Sequence, residues 1–138
     1  MRTAPGRPSL HLTLPATSQA PLSVRPALRE WLAELGMPRE QSYDTVLAVN
    51  EAVSNVVDHA YRDASPPGEV TVSALSGTPR NGRGRVRVTI SDSGRWRQAA
   101  PDPGNRGHGL KVIKSCTDTA EIESTDSGTQ VSLISKTF

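Results

Sequence analysis

Between Ser18 and Tyr61 the apolar residues recur every three or four positions, whereas before and after that block they recur mostly at every second. The first period belongs to a helix with one buried face and the second to a half-buried strand. A chain that switches between them in long segments has to lay helices against a sheet, and this narrows the fold more than any other feature. "SLHLTL" (9–14) alternates Leu10, Leu12 and Leu14 before Pro15 stops it. Val24, Leu28, Trp31, Leu32 and Leu35 follow at helical spacing, with Gly36 where a left-handed C-terminal cap belongs; Pro26 sets the start of the regular helix near Arg25. A second helix is expected after Pro38, through Val46, Leu47, Val53 and Val56 to about Tyr61.

"EVTVSAL" (69–75) and "RVRVTIS" (85–91) form an antiparallel pair joined by the exposed connection "SGTPRNGRGR". A breaker-rich stretch holding Gly94, Pro101, Pro103, Gly104, Gly107 and Gly109 then leads into a short helix, "GLKVIKSC" (109–116). "AEIES" and "TQVSLIS" close the chain as a hairpin around "TDSG". The order is strand, two helices, two strands, loop, helix, two strands. It predicts an α+β two-layer sandwich, with helices on one face of a mostly antiparallel, mixed sheet. Residues 9–138 are expected to form one domain and residues 1–8 a flexible lead.

Composition excludes several classes of function. Sixteen basic and 14 acidic side chains give a formal net charge of +2. "RNGRGR" and "RWR" are therefore local clusters and not part of a field that would hold nucleic acid or an anionic membrane. Two tryptophans, two tyrosines and one phenylalanine are too few for a stacking platform. Cys116 is the only cysteine, so neither an intramolecular disulfide nor a cysteine zinc site is expected. The opening twenty residues lack the apolar core of a secretory signal and no later run reaches the length of a membrane span, so the expected location is the cytoplasm.

Four short segments carry residues that can do chemistry. In "EAVSNVVDHAY" (51–61), Glu51, Asn55 and His59 stand at i, i+4 and i+8. A carboxylate there can take a proton and an amide oxygen can ligate a hard cation, although a solvated helix face has the same pattern. "TISDSG" ends an alternating strand on Asp92 and turns at Gly94, which suits either a plain turn or an acceptor for an exocyclic amine. "GNRGHGLKVI" places glycines before a helix, where free N–H groups favour phosphate, but it lacks the Lys-Ser/Thr ending of a P-loop. "SGTQVSL" opens the last strand on Gly128 and Thr129, either a hairpin turn or a hydroxyl for a purine.

The order of these segments, Glu-x3-Asn on a helix, Asp-x-Gly after a strand, Gly-x-Gly before a helix and Gly-Thr before a last strand, resembles the ATP-binding set of the GHKL superfamily. The resemblance covers almost the whole chain, and "NEAVSNVVDHAY" is most similar to the compact branch of anti-sigma-factor serine kinases. The resemblance implies the Bergerat ATP-binding fold, with ATP and magnesium as cofactors. Asn55 would hold the metal and Glu51 would be the base or water-positioning group. Asp92 would accept from the adenine amine, with Gly94 giving the base access and Thr129 completing its pocket. Gly107, His108, Gly109 and Leu110 would lie against the phosphates, and Arg95–His108 would act as a lid. The implied partners are a sigma factor and an anti-anti-sigma factor of the STAS fold, with a homodimer as the implied assembly. The sequence departs from the superfamily at Trp96, which stands where a second glycine is expected. A binding module that keeps the fold and regulates by contact alone is the alternative this substitution leaves open.

Overall fold

The computed structural model describes residues 9–61, 68–77, 83–94 and 105–138, with backbone only over 105–109. The expected flexible segment 1–8 lies outside the described residues. The elements follow as β1 (Leu10–Pro15), α1 (Gln19–Glu34), α2 (Arg39–Asn55), a π turn (Val56–Ala60), β2 (Glu69–Ser76), β3 (Val86–Asp92), α3 (Asn105–Cys116), β4 (Thr119–Thr125) and β5 (Gly128–Ile134). The five strands form one sheet in the order β1-β2-β3-β5-β4. All four pairings are antiparallel, so the mixed character expected of the sheet is absent among the described strands. β5 inserts between β3 and β4 because the α3–β4 excursion carries the chain past β3 before the hairpin brings it back.

Alternation decides which face of the sheet meets the helices. Val70, Val72 and Ala74 of β2, Val86, Val88 and Ile90 of β3, and Val131 and Leu133 of β5 are buried on one face. They pack with Leu28 and Leu32 of α1, Val49 and Val53 of α2, Val56 of the π turn and Ile113 of α3 in one core. The opposite face carries Thr71, Ser73, Thr89, Ser91 and Ser132. Helices therefore lie on one side only, as the two periods predict. Among the described residues no helix is long and apolar enough to cross a membrane.

The first helix departs from its sequence reading. α1 begins at Gln19, not near Arg25, and holds Pro26 within it. Pro21 falls in the first turn, where its missing N–H has no helical partner to lose. Pro26 lies on the exposed side, while Ala20 and Val24 before it and Leu28, Trp31 and Leu32 after it are buried. Packing on both flanks thus outweighs a local cost of about 3 kcal/mol. The expected cap is present: Gly36 has φ 81°, its N–H bonds the Ala33 carbonyl at 3.0 Å, and the Met37 N–H bonds Leu32 at 3.1 Å.

Candidate functional site

Parity along β3 sets the first site residue. Asp92 shares a face with Val86, Val88 and Ile90, so the alternation that buries those side chains turns its carboxylate toward the helices. It is 9% exposed. Its register partners are Val70 on β2 and Thr129 on β5. Thr129 shares its face with Val131 and Leu133 and is itself buried; its hydroxyl lies 3.1 Å from that of Ser124 on β4. A carboxylate and a hydroxyl thus sit side by side at one end of the layer between sheet and helices.

Two glycines fix the backbone around Asp92. The Gly94 N–H donates to Asp92 Oδ1 at 3.0 Å, an Asx-type turn that orients the carboxylate. A Cβ on Gly94 would run into the Ala60 carbonyl oxygen, so the turn rests directly on the last residue of the π turn. Gly128 has φ 139°, and a Cβ there would run into the carbonyl oxygen of Asp92 itself. Here backbone contacts backbone on both sides, which side chains of ordinary size would prevent. An open cleft of about 250 Å³ lies at this end of the sheet, with Asp92, Gly128 and Thr129 among its lining residues. A larger cleft of about 430 Å³ lies over β4 and β5, lined by Glu121, Ile122, Glu123, Gln130 and Ser132, and holds none of the residues singled out from the sequence.

Glu51 and Asn55 lie one turn apart near the end of α2, both half-buried. α2 packs against β3 and α3, and its π continuation reaches Gly94 through Ala60. Asn55 is therefore one helical turn from the contact that seats the Asp92 turn. The second helix is not uniform to Tyr61 as expected: it is α-helical to Asn55 and π-helical over Val56–Ala60. A turn closed i to i+5 holds more than 3.6 residues, so His59 is rotated away from the line through Glu51 and Asn55.

The phosphate segment also needs correction. α3 starts at Asn105, four residues before the expected start at Gly109, so Gly107 and His108 are helical and not a loop that precedes a helix. The first four N–H groups of a helix have no partner within it, so the N–H of Gly107 still belongs to the orphan set, whereas that of Gly109 faces the Asn105 carbonyl. Leu110 is half-buried in the same helix. Residues 95–104 of the expected lid, Trp96 included, lie outside the described residues.

Among the described residues no three His, Cys, Asp or Glu side chains cluster as a metal site. An amide oxygen with a carboxylate four residues before it suits an ion held chiefly by substrate phosphates, as magnesium commonly is. The donor set thus fits magnesium arriving with a nucleotide. Sequence reasoning missed one residue here: the Tyr61 hydroxyl donates to the Glu69 carbonyl at 2.7 Å and accepts the Ser93 N–H at 2.9 Å. Its only sequence signal was an aromatic ring closing an amphipathic run.

Residues 14–135 match the histidine kinase-like ATPase domain. The fold is similar to the RsbU and RsbW domains of Rv1364c from Mycobacterium tuberculosis, with 32% identity and a TM-score of 0.72, covering 94% of this chain and 32% of that one. It is also similar to the histidine kinase domain of a blue-light activated histidine kinase from Erythrobacter litoralis (22% identity, TM-score 0.52, 70% of this chain and 45% of that one). A further likeness is to the SiaB-SiaC complex from Pseudomonas aeruginosa, at 17% identity and TM-score 0.55, over 94% of this chain and 89% of that one. The chain thus spans under half the length of the first two.

Proposed function

The chain belongs to the histidine kinase-like ATPase domain family, and from that premise we propose that it binds ATP and regulates a sigma factor as a protein serine kinase acting on a STAS-type partner. The observation that carries the reading is the Asp92 turn, a buried carboxylate oriented by the Gly94 N–H and set beside the Thr129 hydroxyl. An ionised carboxylate has about four acceptor sites, and the Gly94 bond fixes the direction in which they are offered to an adenine amine. Thr129, tied to Ser124, is suited to hold a ring nitrogen directly or through water.

Asn55 would present its amide oxygen to the metal, and Glu51, one turn earlier, would take the proton of the acceptor hydroxyl or orient it. Magnesium, when bound, supplies charge neutralisation on the phosphates. Orphan N–H groups in the first turn of α3 add donors of the same sense. Phosphoryl transfer needs positioning and charge stabilisation more than covalent participation, so this set of groups is sufficient. Self-association as a homodimer in the cytoplasm belongs to the same proposal.

Trp96 favours a second reading, a regulator that keeps the nucleotide and has lost transfer, because tryptophan cannot take every backbone conformation open to the glycine it stands for. One experiment separates the two. The protein is incubated with labelled ATP, magnesium and STAS proteins from the same genome. Label on a partner serine is the expected result; ATP bound without transfer to any of them rejects the kinase in favour of the silent regulator.

A further inference from the structure

The end of the β2–β3 ladder holds a side chain where a backbone hydrogen bond would be expected. Val70 pairs with Asp92, so the next rung would set Glu69 opposite Ser93. In its place stands the Tyr61 hydroxyl, which donates to the Glu69 carbonyl at 2.7 Å and accepts the Ser93 N–H at 2.9 Å. Two hydrogen bonds in series through one oxygen hold the strands farther apart than one direct N–H···O bond does. The ring has room because two glycines flank it: a Cβ on Gly68 would overlap its Cε1, and one on Gly94 would come within 2.9 Å of its Cδ1.

We propose that Tyr61 is the positioning residue of the adenine-recognition carboxylate: its hydroxyl splays β3 from β2 directly after Asp92, and this lets the Gly94 N–H turn back onto Asp92 Oδ1. The inference rests on the reading of Asp92 as the acceptor for the adenine amine. With the ladder continued one rung, Ser93 would be drawn toward Glu69 and the turn that carries the Gly94 donor would be pulled with it. Tyr61 touches neither nucleotide nor metal in this account; it acts through Ser93 and Gly94.

The test compares ATP with purine riboside triphosphate, which differs from it only in lacking the 6-amino group, by calorimetry with magnesium. The wild-type protein is expected to prefer ATP by about tenfold or more, the size of a hydrogen bond to a charged group. A wild type that binds both alike, or neither, removes the Asp92 reading and the inference with it. Given that preference, Tyr61→Phe keeps the ring and loses both hydrogen bonds. Its preference should fall to about threefold or less, with affinity for the amine-free analogue changed by no more than about twofold. Equal weakening of both nucleotides in Tyr61→Phe, or an unchanged preference, overturns the positioning role. Gly68→Ala displaces the ring without altering the hydroxyl and should shift the preference the same way. It decides the matter if Tyr61→Phe does not fold, an unchanged ratio being the refuting result.

Discussion

Two glycine-to-alanine substitutions at the Asp92 turn, with a third at the α1 cap as reference, separate backbone contact from backbone torsion. Gly36 has φ 81° with nothing within 4 Å of an added Cβ, so Gly36→Ala carries the torsional cost alone. For an L-residue in the left-handed region that is about 1 kcal/mol. Gly94 lies outside the positive-φ set, yet its Cβ would occupy the place of the Ala60 carbonyl oxygen. The atom it meets is backbone in a helical turn, so the turn must move, at about 2–3 kcal/mol on the scale of overpacking. Gly128 combines a φ of 139° with a Cβ that would enter the Asp92 carbonyl, and the two costs together reach about 3–4 kcal/mol. In urea, with a slope of about 1.5 kcal/mol/M, the midpoints should fall by about 0.7 M for Gly36→Ala, about 1.3–2 M for Gly94→Ala and about 2–2.7 M for Gly128→Ala. Nucleotide affinity should drop for the last two and stay constant for the first. An equal midpoint loss at Gly36 and Gly128, or a neutral Gly94→Ala, would refute the argument that backbone contact and not glycine torsion seats the carboxylate.

Asp92→Asn should abolish ATP binding, and calorimetry showing wild-type affinity would remove the adenine assignment. Glu51→Ala should retain ATP and lose transfer to a partner serine; equal labelling by both proteins would exclude Glu51 from the chemistry. Leu28, with no exposed surface at the α1 contact, should cost about 2–5 kcal/mol as Leu28→Ala, read from the urea midpoint. Ser135→Ala leaves the buried Val86 N–H without its 2.9 Å acceptor and should cost about 1–3 kcal/mol. Because Val86 and Asp92 stand at opposite ends of β3, nucleotide affinity measured on the folded Ser135→Ala protein should not change.

The inward turn of Asp92 is a finding of the fold, whereas alternation alone places the strands within a residue of their observed limits. That succeeded because a one-residue slip would expose Val86, Val88 and Ile90, so burial enforces the register. Local breaker rules were less faithful. Pro26 taken alone marks a boundary, but the core contacts on both sides of it carry α1 through. By the same rule Gly107 reads as loop, yet it lies within α3. The π turn has no local signal in the sequence, since "VVDHA" is equally compatible with continuing α-helix. The role of Tyr61 was hidden because its partners, Glu69 and Ser93, are 8 and 32 positions away and contribute backbone atoms only.

The π turn is also the place where this helix takes up a residue more than an α-helix of the same arc would hold. Removing one residue from Val56–Ala60 would let α2 continue in ordinary register, and each residue of an α-helix turns the chain by about 100°. Five residues of α-helix sweep nearly the same angle as six of the wider turn, so Tyr61 would keep its slot between Gly68 and Gly94 while the buried face of α2 stayed in place. A single deletion here therefore preserves the phase between helix and sheet, so homologous chains aligned across this turn should differ by one residue in count, the shorter ones being α-helical throughout.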